Sequence, residues 1–519
     1  MFKPRTIVLA SLLAAGVIAT VGSLGDVCLG DECPHIRQVR AYAKTGTRVP
    51  ADPLFSKHRV NIMPFNGTPL WHAGLAVLWR LTGTQAQVLS QFYHMGFYLL
   101  LLLSVYYGTR LIWGTAAASW AWLLTATMPM VCAYSIMLYQ DVPGIAVSAL
   151  AMLLLWRKNF FWSGVCLAAA YLTKMNMLTF APWAVLFAAW WAGGTWKRRL
   201  VCAALVAVPV ALAFGYDTAW RFATYGDMTG YMVNPDVSKP VLSAGAAKAL
   251  QSKPANYVNW KPFPVHDPVT LVSHLGVGVL VGVCAAMARA WDSVSKWLWV
   301  CFAIAVAGFL AVFVRLGSTQ IRYLFPAILL LLLLCGKGLA GWRLPMWLKA
   351  AIVAGCVLQA AGATVYVYQK RQISEWDAQA YAWVAENTDP DTRIMFSERV
   401  ITNETGRKYI WGQLNPAYFM AEANDAVREE ILRAFGVTHI AVPLRRIYDR
   451  REEGDHAGGY ARDFVQSLDT KSYLMRVFSN EGFLVFAVVP PEVRSQVAPG
   501  GGAACPVRHP GGDGRTRDR

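Results

Sequence analysis

Two adjacent carboxylates, Asp31 and Glu32, stand where the first long apolar stretch of the chain ends, in the run Gly30-Asp31-Glu32-Cys33-Pro34-His35-Ile36-Arg37-Gln38. Charge beside a bilayer is costly, so it commonly marks a pathway or a reacting centre, although a carboxylate at this depth can also simply be hydrated. Three further ionisable groups stand out. Asp141 lies in Met137-Leu138-Tyr139-Gln140-Asp141-Val142-Pro143-Gly144, Lys174 in Tyr171-Leu172-Thr173-Lys174-Met175-Asn176, and Arg322 just before Tyr323-Leu324-Phe325-Pro326. Each has an ordinary structural reading as well: a carboxylate at a helix N-terminus is favoured by the helix dipole, and a lysine near a helix end can snorkel to the interface. Carboxylates and cations gathered at one membrane surface suit transfer of a group away from a lipid-linked phosphate. A carboxylate can deprotonate an attacking hydroxyl, while cations offset the charge that grows on the departing phosphate.

The elements that must position these groups are mostly apolar spans. The chain has 519 residues, 55% of them hydrophobic and only 15% charged, and apolar runs of spanning length recur over its first two thirds. The pattern is that of a polytopic α-helical membrane protein. Spans are expected at 6–25, 87–108, 111–133, 142–156, 160–175, 178–194, 200–217, 269–289, 297–315, 323–336 and 348–368, about 11 transmembrane helices by the rule of ~20 residues per crossing. The first has a basic start and no good cleavage site, so it reads as an uncleaved signal anchor.

Basic residues fall at Arg110, Arg157, Lys158, Lys197, Arg198, Arg199, Arg289, Lys296, Lys337, Arg343 and Lys349. The positive-inside bias makes those connections cytoplasmic. Alternation then exports loops 26–86 and 218–268, the short connection 134–141 and everything after 368. Asp31, Glu32, Asp141, Lys174 and Arg322 all fall at exported ends. Loop lysines and arginines account for much of the +17 formal charge. No basic stripe interleaved with aromatics points to nucleic acid. Most of the ten cysteines lie in apolar spans. Cys28 and Cys33 are exported and close in sequence; a disulfide, a metal site with His35 and an accidental pair all remain open.

The segment Leu70 to Leu81 could lie along the interface or re-enter the membrane. Composition changes after Tyr368. Helices are expected at 375–387 and 426–435 and strands at 392–397, 438–443 and 483–489, which make residues 369–490 a small C-terminal α/β extramembrane domain beside a membrane domain of residues 1–368. Residues 491–519, rich in Gly, Pro and Arg, read as a disordered tail.

From Asp31 to Tyr42 the sequence resembles the Asp-Glu-x-x-His-x-x-Gln-x-x-x-Tyr first-loop motif of the dolichyl-phosphate-glucose alpha-1,2-glucosyltransferase family, within the GT-C superfamily. Asp141 after Tyr139-Gln140 is similar to that family's second acidic position, and Lys174-Met175-Asn176 to its basic residue shortly before an Asn. Arg322-Tyr323-Leu324-Phe325-Pro326 resembles instead the late Arg-Tyr-Leu-x-Pro element of bacterial protein mannosyltransferase-like and lipid A aminoarabinose transferase-like proteins, as does the presence of a soluble C-terminal domain. Pro34 departs from the motif, where a bulky apolar residue is usual.

The resemblance covers residues 1–340 and implies a GT-C-like inverting glycosyltransferase. Its donor would be a polyprenyl-phosphate sugar and its acceptor a lipid-linked glycan, polysaccharide or protein. The site would face the periplasm or exterior of a bacterial inner membrane. It implies Asp31 as general base with Glu32 and Asp141 as further catalytic carboxylates, and His35, Gln38, Lys174, Asn176, Arg322 and Tyr323 in substrate binding. A divalent metal joining Asp31 and Asp141 is compatible with it but not expected to be essential. The rival reading is a transporter or lipid-linked glycan flippase, disfavoured because the charges gather on one face whereas a relay through the bilayer needs groups at several depths.

Overall fold

The computed structural model describes residues 3–25, 28, 32–48, 68–225, 243, 268–310, 321–395, 399–409, 424–444 and 465–494. They divide into two units, the first holding the described residues up to Ile373 except Ser243, the second Ser243 and those from Ser374 on.

The first unit is helical. Helix α1 (Pro4–Ser23) is followed by α2 (Glu32–Thr45) and α3 (Pro69–Thr82). Helix α4 (Gln87–Thr127) runs on through Gly114, whose φ of 82° interrupts the helical path where glycine tolerates a left-handed backbone. Next come α5 (Pro129–Ile136), α6 (Asp141–Trp156), α7 (Phe160–Thr173), a 3₁₀ turn (Met175–Phe180), α8 (Ala181–Ala192) and α9 (Trp196–Tyr225). The unit closes with α10 (Pro268–Leu275), α11 (Val277–Arg289), α12 (Ser293–Phe309), a 3₁₀ turn (Ile321–Leu324), α13 (Phe325–Gly341) and α14 (Met346–Arg371).

By length and composition, six of the described helices could cross a membrane, or seven when α5 and α6, bent by 117°, count as one broken span. Helices α7, α11 and α12 are apolar but shorter. The expected spans are therefore present as helices, redistributed: 87–108 and 111–133 share α4 and α5, and 269–289 divides at Gly276. This is a multi-pass membrane protein.

Which faces are buried explains which helices lie central. Every residue from Phe325 to Gly336 of α13 is buried, the pattern of a helix surrounded by others. Helix α1 buries only Ile7, Ser11, Ala15, Ile18, Ala19 and Gly22, one stripe at helical spacing, and leaves Leu9 and Leu13 about 70% exposed. Those side chains suit lipid. Because lipid tails are as apolar as leucine, such helices associate through close packing rather than hydrophobic transfer. A Cβ on Gly338 would sit 2.3 Å from the backbone nitrogen of Ala286, so only glycine allows α13 this approach to α11.

The Leu70 to Leu81 segment is α3. It packs Trp71, Leu75, Ala76 and Trp79 against Ile36, Val39 and Tyr42 of α2.

The second unit holds α15 (Glu375–Asn387), β1 (Arg393–Met395), α16 (Arg399–Thr405), β2 (Lys408–Tyr409), α17 (Asp425–Ala434), β3 (His439–Pro443), β4 (Leu474–Ser479) and β5 (Phe483–Val488). The sheet order is β2-β1-β3-β5-β4, with β1 parallel to β2 and β3, and β5 antiparallel to β3 and β4. Side chains alternate faces along a strand. Ile440, Val442 and Phe486 therefore meet Ile431, Leu432 and Phe435 in one core, while Ala441 and Val485 meet Ala380 and Val384 of α15 in the other. Ser374 caps α15 by accepting from the Asp377 N–H at 3.1 Å, and Asn424 caps α17 by accepting from that of Ala426 at 3.0 Å. Of the expected tail, residues 495–519 lie outside the described residues.

Candidate functional site

Helix breaks deliver the polar groups. Helix α7 ends where Lys174 turns extended (φ −152°, ψ 121°) and α6 starts at Asp141. The Lys174 Nζ lies 2.6 Å from Asp141 Oδ1, with the Asp141 side chain only 1% exposed. As the sequence allowed, Asp141 occupies a helix N-terminus, but its charge is also answered by a lysine across the bundle. The 3₁₀ turn Ile321–Leu324 brings the third charged group. The Arg322 guanidinium lies 5.3 Å over the Tyr139 ring and 5.4 Å over the Tyr323 ring, and Lys174 Nζ lies 5.6 Å from the centre of the same Tyr323 ring. Asn176 donates from Nδ2 to the Tyr323 carbonyl at 3.3 Å, tying the 3₁₀ turn after Lys174 to the one that carries Arg322.

Five of the residues singled out in the sequence, Asp141, Lys174, Asn176, Arg322 and Tyr323, thus form one cluster, joined by Tyr139. Two cations share a boundary of aromatic faces, which attract positive charge through their quadrupoles. An ammonium and a planar guanidinium so placed can meet a phosphate from two directions, the guanidinium by a two-pronged grip.

Glu32, the second carboxylate of the expected pair, lies at the start of α2. It is fully buried, and its Oε1 accepts from Arg371 Nη1 at 3.0 Å and from the Leu138 N–H at 3.3 Å. Arg371, 1% exposed, also donates to the Ile136 carbonyl at 3.1 Å. This ion pair joins the start of α2, the end of α14 and the α5–α6 connection. Asp31 lies outside the described residues. Cys28 and Cys33 are disulfide-bonded, with Cα atoms 5.3 Å apart.

His35 and Gln38 lie on α2, both buried. His35 Nδ1 is 2.9 Å from His72 Nε2 on α3, and its ring centre lies 6.0 Å from that of Tyr139. His72 was visible in the sequence only as a histidine inside an apolar segment.

A second polar network also escaped the sequence reading. Fully buried Asp217 on α9 accepts from Arg48 Nη2 at 2.6 Å, from Arg221 Nε at 2.8 Å and from the Tyr171 hydroxyl at 2.8 Å. The Arg48 guanidinium stacks 3.6 Å over Trp220. Only the four-residue spacing of Asp217 and Arg221 on one helix face hinted at it. Groups at the opposite ends of the helices meet as well: Lys337 Nζ is 3.4 Å from Asp292, and Lys158 lies over Trp191.

Among the described residues, no three His, Cys, Asp or Glu side chains come together as a metal set.

The chain has the fold of the GT-C membrane glycosyltransferases. Neither a protein-family model nor a curated protein matches it. Among solved structures, the Archaeoglobus fulgidus oligosaccharyltransferase in its apo form matches with a TM-score of 0.60 at 12% identity, over 93% of this chain and 75% of that one. The archaeal oligosaccharyltransferase AglB from Archaeoglobus fulgidus, in complex with an inhibitory peptide and a dolichol-phosphate, matches with a TM-score of 0.56 at 12% identity, over 92% of this chain and 74% of that one. ArnT from Cupriavidus metallidurans bound to undecaprenyl phosphate matches with a TM-score of 0.54 at 13% identity, over 94% of this chain and 99% of that one. A further Archaeoglobus oligosaccharyltransferase structure is a complex with zinc and sulfate.

Proposed function

We propose that this protein is an inverting glycosyltransferase that moves a sugar from a polyprenyl-phosphate donor to a lipid-linked glycan, polysaccharide or protein acceptor. The observation that carries the reading is the convergence of Lys174 and Arg322 beside Tyr323, on a fold whose solved neighbours include complexes with undecaprenyl phosphate and dolichol-phosphate.

The chemistry runs as one displacement. Asp31 takes the proton of the acceptor hydroxyl, whose oxygen attacks the anomeric carbon from the face opposite the phosphate. The bond from that carbon to the phosphate oxygen breaks, the sugar inverts, and polyprenyl phosphate leaves with an added negative charge. Arg322 and Lys174 stabilise that charge as it forms. Asp141 holds the lysine in place, Asn176 fixes the Tyr323 backbone, and His35 and Gln38 contact acceptor or sugar hydroxyls. A metal bridging Asp31 and Asp141 would compete with Lys174 for the Asp141 carboxylate. This reading therefore assigns no essential metal, and transfer should persist in a chelating buffer.

The same reading places the protein in a bacterial inner membrane with the site facing the periplasm. Residues 1–368 form the catalytic unit, and the α/β domain of residues 369–490 is exported.

The test is incubation of purified protein with a panel of polyprenyl-phosphate sugars and candidate acceptors, following release of polyprenyl phosphate with the matching glycosylated product. Asp31→Asn should lower that release about 100-fold or more, the usual scale for losing a general base. Near-normal turnover in that variant would remove Asp31 from the role.

A further inference from the structure

Arg48 is a buried cation whose hydrogen-bonding capacity is only partly answered. Its side chain is 6% exposed, and its Nη2 donates to Asp217 Oδ1 at 2.6 Å. One face of the guanidinium is closed by the Trp220 ring at 3.6 Å. Its Nε and Nη1 nitrogens are buried and have no hydrogen-bond partner among the described residues. A guanidinium carries five N–H donors and stays protonated in proteins, so the demand cannot be escaped by losing a proton. Asp217 does not meet it either. Its Oδ2 accepts from Arg221 Nε at 2.8 Å and from the Tyr171 hydroxyl at 2.8 Å, so one carboxylate is divided between two guanidiniums. A buried donor left unanswered is expensive, the more so when it is charged. What completes Arg48 is an acceptor in the plane of its guanidinium that carries negative charge, which is an oxyanion.

The place of Arg48 ties it to the transfer site from two sides. Tyr171, which binds Asp217, stands on the last turn of α7, three residues before Lys174. Burial pulls the His72 pKa down to about 3, and the charge of Arg48 pushes it the same way. His72 Nε2 in turn lies 2.9 Å from His35 Nδ1. Lys174 and Arg322 serve the donor phosphate in the transferase reading, so an oxyanion at Arg48 belongs to the other substrate.

We propose that Arg48 marks a second anion site, which binds a phosphate or carboxylate carried by the acceptor and so selects acceptors that present such a group near the attacking hydroxyl. The assignment to the acceptor rests on the transferase reading above; the anion site itself does not. Arg48 can be replaced without orphaning Asp217, which keeps Arg221 and Tyr171.

The experiment uses the full chain in lipid nanodiscs with isotope-labelled arginine side-chain nitrogens, the Arg48 Nε signal being assigned by its loss in Arg48→Lys. Glucose 6-phosphate and glucuronate should each move that signal saturably, and glucose should not. No movement with either anion would overturn the proposal without any variant being assayed. If inorganic phosphate moves the signal and neither sugar anion does, the site holds an adventitious ion only and acceptor selection is wrong.

Transfer is then compared between acceptors matched except for a phosphate or a carboxylate. The wild-type protein should prefer the charged acceptor in kcat/KM, and Arg48→Gln should lower that preference roughly 10- to 100-fold, the scale of a charged hydrogen bond lost. Arg48→Lys, which keeps the charge, should retain part of it. If Arg48→Gln lowers transfer to charged and neutral acceptors equally, Arg48 is a structural strap between its loop and α9 and the proposal is wrong. If the Arg48 signal behaves as stated but no polyprenyl-phosphate sugar is consumed, the anion site stands and the transferase reading is what fails.

Discussion

At the scale of single residues, the Asp141–Lys174 pair decides how any variant there must be read. Removing one member of a buried pair leaves the other charge uncompensated and commonly costs about 3–5 kcal/mol, whereas removing both is far milder. Lys174→Ala should therefore lose both stability and donor handling. Lys174→Ala with Asp141→Asn should recover the stability and not the donor handling. A thermal unfolding series run beside steady-state kinetics separates the two effects, and recovery of turnover in the double variant would reduce Lys174 to a structural counter-ion.

Arg322 lies over Tyr139 and Tyr323. Arg322→Lys should raise the donor constant and lower kcat, because an ammonium cannot reproduce a two-pronged planar grip. An unchanged donor constant would place Arg322 outside the phosphate site. Asp141, Lys174 and Arg322 were legible in the sequence because a charge flanked by apolar spans must come to rest at a membrane face. Their shared sidedness followed from counting spans. The pairing of Lys174 with Asp141 was not legible, since nothing local distinguishes a snorkelling lysine from a paired one.

At the scale of elements, the start of α2 is held by α14. Arg371 and Glu32 are 339 residues apart in sequence, and such a contact leaves no local signal. That is why Arg371 went unnoticed as the partner of Glu32. Arg371→Ala should destabilise the fold by about 3–5 kcal/mol, while Glu32→Gln with Arg371→Met should restore most of it and keep turnover within a few-fold of wild type. If the double variant is well folded but inactive, Glu32 belongs to the reacting centre after all.

Short and half-buried elements were the ones the sequence hid. Strand β2 is two residues long, and β4 at the sheet edge alternates poorly, its middle residues Met475 and Arg476 both being exposed. Buried β3 and β5, with continuous apolar runs, were found within a residue or two of their limits. Helix α2 was missed for a different reason: its sequence is polar, and its helicity comes from packing on α3.

At the scale of the whole molecule, the account requires one orientation in the membrane. Thr45 and Asn387 are exposed residues on segments expected to be exported, and Arg198 an exposed one on a cytoplasmic connection. With the unpaired cysteines replaced, Thr45→Cys and Asn387→Cys should react with an impermeant thiol reagent from outside, and Arg198→Cys should not. The reverse pattern would invert the map and remove the common face on which the site depends. Transfer and transport are then separated by a single measurement. The protein is sealed into vesicles of known orientation, polyprenyl-phosphate sugar and acceptor are supplied on the side where Thr45→Cys labels, and both leaflets are sampled for polyprenyl phosphate, glycosylated acceptor and intact donor. The expected result is stoichiometric polyprenyl phosphate and product on that side, none when acceptor is offered only on the other, and no intact donor crossing. Intact donor appearing in the opposite leaflet without product would contradict the account and make the protein a translocator.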